Sequence, residues 1–227
     1  MNLDLLIPKN IVIESLTAAV LFVYVMGVVM ATKYVYHALT SRGQPHNVAV
    51  YYNRKIIHIF AGGVVALLVP FTFTSPTIPF ILALVLALTT YIPHRTGKLM
   101  YWFQVKENMY EVNFCLMWGI SLLILWLIFG RPEIAIIPPA LMAFGDAVTG
   151  IVRNALFKRR TKHWIGNVAM AAVSIPMGFA YAGLVGAFTG AVASVIERFE
   201  FNPIDDNVLI SLTSTIILII AKAMGVI

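Results

Sequence analysis

The chain has little charge and almost no cysteine. Only 11% of its 227 residues are charged, against roughly 25% in an ordinary soluble domain. Its single cysteine, Cys115, lies inside an apolar run, so an internal disulfide is excluded and the thiol reads as a small packing residue. There is no G-x-x-x-x-G-K-[ST] stretch and no G-x-G-x-x-G, which argues against the nucleotide folds of soluble kinases. What is abundant is apolar: 60% of residues are hydrophobic and the mean hydropathy is +0.87. A soluble enzyme, a disordered chain and a disulfide scaffold are all excluded, and a polytopic membrane protein is expected. In such a chain a net charge of +6 reports topology and attraction to anionic lipid or nucleotide before it reports nucleic acid.

Crossing about 30 Å of hydrocarbon takes about 20 helical residues. Charges and Pro/Gly turns cut the chain into eight apolar runs, near 11–36, 56–74, 77–93, 112–130, 133–152, 164–181, 182–197 and 207–225. The sixth and seventh are separated only by Tyr181-Ala182-Gly183. The first run starts too deep, lacks a basic leader and is too long for a cleaved signal peptide, so it is read as a mature helix. The expected fold is an all-α transmembrane bundle of about eight helices in one domain over residues 1–227, with both termini outside. An interfacial helix is expected near 97–110, where Met100, Tyr101, Trp102 and Phe103 mix with Lys98 and Lys106. This topology leaves only Lys9, Arg131 and Lys222 of the 16 basic residues on the outer side, as the positive-inside rule requires. The histidines His37, His46, His58, His94 and His163, and the acids Glu107, Glu111, Asp146, Glu197, Glu200, Asp205 and Asp206, gather at the same cytoplasmic face. The rule makes no demand on those residues, so their gathering points to a site.

Asp146 stands one to two turns short of the cytoplasmic end of the fifth run. A carboxylate at that depth costs roughly 2.5–3.5 kcal/mol on insertion scales, so a protein cavity and a partner are expected. Asp146 is read as catalytic, with simple pairing to Arg153 or a histidine as the alternative. Gly145 and Gly150 permit close backbone approach beside it. The segment after it carries Arg153, Lys158, Arg159, Arg160 and Lys162. Arg159 and Arg160 read as a topology anchor, whereas Lys162 leads into His163, Trp164, Gly166 and Asn167 at a helix N-terminus, where free amides attract phosphate. Lys162 is therefore a second catalytic candidate, and Arg153, Lys162, His163, Gly166 and Asn167 are candidate phosphate ligands. Lys55 and His58, three apart on one helix face, join them, although Arg54-Lys55 alone would read as a snorkelling anchor. Glu197, Asp205, Asp206 and Asn207 offer hard oxygen ligands for Mg²⁺, the alternative being an N-cap from Asp206 or Asn207. Glu111 and Asn113 are further polar candidates.

Three stretches taken together resemble the CTP-dependent polyprenol kinases, the family of dolichol, phytol and geranylgeraniol kinases. They are Arg54-Lys55-x-x-His58; Gly145-Asp146 leading to Lys162-His163-Trp164-x-Gly166-Asn167; and Glu197 leading to Asp205-Asp206-Asn207. The likeness covers about residues 50–215. It implies a membrane enzyme that uses Mg²⁺ and moves the γ-phosphoryl group of CTP to the terminal hydroxyl of a long prenyl alcohol, giving prenyl monophosphate and CDP. It also implies that Asp146, Lys162, Gly166, Glu197, Asp205, Asp206 and Asn207 match the family's nucleotide and metal segments. His163 and Asn167 depart from the family pattern, which has Ser or Thr after the lysine and Ser after the glycine. The residues agree with the class, because a lipid alcohol, a cytoplasmic anion and a metal must meet at the membrane boundary, and phosphoryl transfer needs mainly positioning and charge neutralisation. Two alternatives remain open: a cytidylyltransferase making a CDP-lipid, whose H-G-G-x-x-D-R signature is missing, and an ion- or proton-coupled transporter using Asp146 and the histidines as a relay. The short chain favours a prokaryotic plasma membrane over endoplasmic reticulum, with the site facing the cytoplasm.

Overall fold

The computed structural model describes residues 3–159, 161–201 and 204–227; Arg160 of the basic run and Pro203 of the acidic turn lie outside the described residues. The chain is 80% helical with no strands among the described residues. Among the described residues seven helices are long and apolar enough to cross a membrane: α1 (Ile11–Ser41), α2 (His46–Thr72), α3 (Thr77–Thr96), α4 (Tyr110–Phe129), α5 (Pro132–Phe157), α6 (Trp164–Ile196) and α7 (Asp206–Ala223).

An unbroken α6 of 33 residues would reach about 50 Å, far beyond the hydrocarbon core. It is broken instead at Ala182 and Gly183, whose backbones leave the helical region, with Gly183 at φ 55°. That is a conformation a β-carbon disfavours. The two arms, 164–181 and 184–196, fold back on each other with the backbones of Gly178 and Gly186, and of Gly190 and Ser174, in direct contact. The break expected at 181–183 is therefore real, and the bundle contains eight rods. Both ends of the chain come to the face that carries the 73–76 connection: Thr77 Oγ1 donates to the Leu6 carbonyl at 2.6 Å, and the Lys9 amide donates to Thr74 Oγ1 at 2.9 Å. Lys222 at the end of α7 sits 4.6 Å over the Phe129 ring at the end of α4.

Helix α5 is the central rod, with 83% of its apolar window buried, against 17% for α1 and for α6. Ile134, Ile136, Ile137, Leu141 and Met142 from α5 meet Leu122 and Leu125 of α4 and Leu218 of α7 in the core. Two helices loosen to π-helical geometry where they meet, α2 over His58–Gly63 and α5 over Leu141–Gly145. Such widened turns re-aim side chains and recur at functional sites. Here the first residue of one and the residue after the other, His58 and Asp146, are brought face to face.

Two expectations need correction. Helix α2 begins at His46, ten residues before the apolar run does, because Val48, Ala49, Val50 and Tyr51 are buried while their neighbours are polar. The stretch near 97–110 is not an interfacial helix but a turn-rich loop closed by a Val105–Asn108 bridge. Two of its aromatics point inward while Tyr101 stays exposed: Trp102 and Phe103 are buried beside Val29, and the Trp102 indole donates to the Val29 carbonyl at 3.1 Å. Asn53, fully buried on α2, donates to the carbonyls of both Thr32 (2.7 Å) and Trp102 (2.9 Å).

Candidate active site

Three carboxylates from three helices converge. Asp146, Glu197 and Asp206 each offer an oxygen within 4.8 Å of the others, and all three residues are buried. Around them stand two lysines and a histidine. Lys55 Nζ donates to Asp146 Oδ2 at 2.6 Å, and His58 Nδ1 lies 3.4 Å from the same oxygen. Lys162 Nζ bridges Asp206 Oδ2 at 2.6 Å and Glu197 Oε1 at 3.0 Å, and also donates to the Glu197 carbonyl at 2.7 Å. Burial alone would lower the Lys162 pKa, but Asp206 and Glu197 outweigh it and hold it above the ordinary lysine value. Burial pushes the Glu197 carboxyl up, against the pull of Lys162 and Arg153. Asp146 Oδ1 is buried with no hydrogen-bond partner, which leaves an oxygen to take a cation. The donor set is entirely carboxylate oxygen, and that chemistry fits Mg²⁺.

Several expected phosphate ligands turn out to brace this group. Arg153 is fully buried and every guanidinium nitrogen is engaged: Nε to the His163 carbonyl at 2.8 Å, Nη1 to Glu197 Oε1 at 2.7 Å, Nη2 to Asn167 Oδ1 at 3.0 Å. Three of its five N–H groups are spent on the fold, and the side chain is sealed from solvent. Gly166 is a packing glycine, since a β-carbon there would collide with the Arg153 guanidinium and Thr149, and its carbonyl accepts from Thr149 at 3.1 Å. Asn167 spends its amide on the Ser194 carbonyl at 2.5 Å and Glu197 Oε2 at 3.2 Å. His163 is exposed, and its ring caps α6 by accepting from the Ile165 amide at 3.2 Å.

Of the acidic turn, only Asp206 reaches the group. Asp205 is the N-cap of α7, accepting from the Val208 amide at 3.1 Å, and its other oxygen takes Asn113 at 3.1 Å and Asn207 at 3.4 Å. Burial and the neighbouring Asp206 push the Asp205 carboxyl up to about 7. Capping was expected from Asp206 or Asn207 and falls instead to the residue before them. Asn207 stands outside the three-carboxylate group but keeps a buried, unpartnered Oδ1. Glu111 belongs to another cluster, its Oε1 lying 2.5 Å from His94 Nε2 and 2.7 Å from Gln104 Nε2.

Two hollows flank His58. One is an apolar cavity of about 200 Å³ between α1, α2, α3 and α4, lined by Val25, Val65, Leu82, Leu86, Phe103 and Trp118 among others and ending on His58 and Glu111. The other is a small polar recess lined by Tyr51, Arg54, Lys55, His58, Tyr110, Asp206 and Asn207. The His58 ring lines both and stacks on Phe114, with centroids 4.2 Å apart. Arg54 was not singled out as a ligand, because an Arg-Lys pair at the edge of an apolar run looks like a snorkelling anchor. In the fold it is buried, lies 4.3 Å over the Tyr110 ring, and carries an Nη1 with no hydrogen-bond partner. A free guanidinium nitrogen beside a polar recess is suited to an anion. Comparison of the chain with protein-family models, with curated proteins and with solved structures finds no match.

Proposed function

We propose that the chain is a membrane phosphotransferase that moves the γ-phosphoryl group of CTP to the terminal hydroxyl of a long-chain prenyl alcohol, at the cytoplasmic face of its membrane. The observation that carries this reading is His58, one ring that walls an apolar cavity on one side and a cation-lined recess on the other, 3.4 Å from Asp146. A lipid hydroxyl and a water-borne phosphate need such a meeting point, and few other chemistries do. The preference for CTP rests on the three stretches of family likeness.

In this reading the recess takes the phosphates. Arg54 and Lys55 bind their oxygens, and Lys162 neutralises charge from the far side of the carboxylates. Glu197 and Asp206 would hold Mg²⁺, which supplies further charge neutralisation of the phosphates when bound. The prenyl chain lies in the apolar cavity with its hydroxyl toward His58. Asp146 is the group within reach to receive the hydroxyl proton, with His58 and Lys55 orienting its carboxylate. Arg153 and Asn167 keep Glu197 in position.

The test is transfer of label from [γ-³²P]CTP to geranylgeraniol, phytol and a longer polyprenol by the purified protein with Mg²⁺, beside Asp146→Asn. Labelled lipid that disappears in the variant is the expected result. Folded protein that labels no alcohol overturns the reading. Release of pyrophosphate with a CDP-lipid would replace it by a cytidylyltransferase, and nucleotide-independent uptake into proteoliposomes by a transporter.

A further inference from the structure

The apolar cavity has few polar groups; among them are Glu111 and His58, the latter stacked on Phe114. Glu111 is buried at 7% exposure. Its Oε1 is occupied by His94 and Gln104, at 2.5 and 2.7 Å, and Gln104 is itself fixed by the Thr90 carbonyl at 2.8 Å and the Met100 amide at 2.9 Å. The other oxygen, Oε2, is buried with no partner. A buried acceptor left unpaired costs free energy comparable to the hydrogen bond it lacks, and here the unpaired atom belongs to a residue that lines the cavity. A water-filled role fits poorly: the cavity's polar lining residues also include Thr89, Thr90 and His58, but the Thr89 and Thr90 hydroxyls donate back to the Leu86 carbonyl, and a water needs two or more polar partners.

We infer that Glu111 Oε2 is the acceptor for the head of a single-chain lipid ending in a hydrogen-bond donor, whose tail fills the cavity. Glu111, Phe114 and Cys115 follow one another at i, i+3 and i+4 on one face of α4 and all line the cavity, so the head rests about one helical turn along the wall from the ring that stacks on His58, a holding position from which the hydroxyl moves to His58 for transfer. The same acceptor discriminates. A hydroxyl satisfies Oε2, a methyl ether or hydrocarbon leaves it unpaired, and an anionic phosphate adds a second acceptor against it. Glu111 thus favours an alcohol over its own phosphorylated product. The choice of an alcohol rests on the proposed function, whereas the cavity and its unpaired oxygen do not.

The chain's one cysteine, Cys115, lies in the cavity wall and marks the peptide that reports occupancy. The full chain in lipid nanodiscs is irradiated with a diazirine-bearing hydrocarbon probe of prenyl length, and labelling of the cavity-wall peptide that contains Cys115 is followed by mass spectrometry with geranylgeraniol, its methyl ether or geranylgeranyl phosphate present. Geranylgeraniol is expected to protect that peptide at concentrations about tenfold or more below those needed for the ether or the phosphate, the worth of one hydrogen bond to a charged acceptor. In Glu111→Gln the gap between alcohol and phosphate should shrink, because the repelling charge is gone. Equal protection by alcohol and ether, or protection by none of the three, overturns the inference without relying on any variant to fold. Selective protection without phosphoryl transfer would leave it standing and sink the proposed function; transfer without selective protection would do the reverse.

Discussion

Replacing Arg153 by methionine should unfasten the candidate site from the bundle. The side chain is fully buried and joins the end of α5 to both arms of α6, through the His163 carbonyl, Asn167 and Glu197. Interhelical hydrogen bonds in membrane proteins are worth roughly 0.6–1.7 kcal/mol each, so losing the set costs about 2–5 kcal/mol. An independent route gives a similar figure, since removing one partner of a buried ion pair costs about 3–5 kcal/mol. Methionine fills most of the volume, so little of the loss is cavity formation. The assay is reversible unfolding in mixed micelles followed by far-UV circular dichroism, with Glu197→Met and the double variant measured alongside. The double variant should be less destabilised than the two singles combined, because the uncovered charge is gone from both sides. A loss below about 1 kcal/mol for Arg153→Met, or strict additivity, would refute the bracing role and return Arg153 to the phosphate ligands.

Lys162→Met removes a cation whose side chain is 25% exposed; transfer should fall by about two orders of magnitude, as for loss of one preorganised electrostatic group, while stability falls less than in Arg153→Met. Comparable loss of stability in the two variants would contradict the division of labour. Asn53→Ala strips the bonds to the Thr32 and Trp102 carbonyls, costing about 1–3 kcal/mol and opening the 97–109 loop to limited proteolysis; an unchanged cleavage pattern would count against its anchoring role. Gly183→Ala places a β-carbon on a backbone at φ 55° and should cost about 1–3 kcal/mol, read in the same unfolding assay.

The spans were legible because the bilayer demands length and apolarity and little else, and Asp146 was legible because a carboxylate inside an apolar run has few explanations. What stayed hidden depends on direction. Whether Asp205 or Asp206 turns inward is decided by the cap of α7, which leaves one carboxylate on the helix amides and sends the next to Lys162. Arg153 and Lys162 look alike in a basic run, yet one is sealed and the other is partly open. The His94–Glu111 pair spans 17 residues and an irregular loop, a separation with no periodic signature. Trp102 and Phe103 fit a membrane-surface helix by composition, and the groups that draw the loop inward, the carbonyls of Val29 and Thr90 and the amide of Asn53, lie far off in sequence.

The fold-back at Ala182 and Gly183 gives the molecule a landmark at the far end from its carboxylates. Because the arms touch backbone to backbone, a residue added within either one would turn everything beyond it by about 100° and separate Lys162 from Glu197. At the apex the packing contact ends, since a β-carbon on Gly183 would meet nothing within 4 Å, although the backbone at that residue still requires glycine. A short epitope inserted at that apex should leave the chemistry intact while displaying a handle on one surface of the membrane. Antibody access to intact and permeabilised cells would then give the orientation of the whole bundle from a single position.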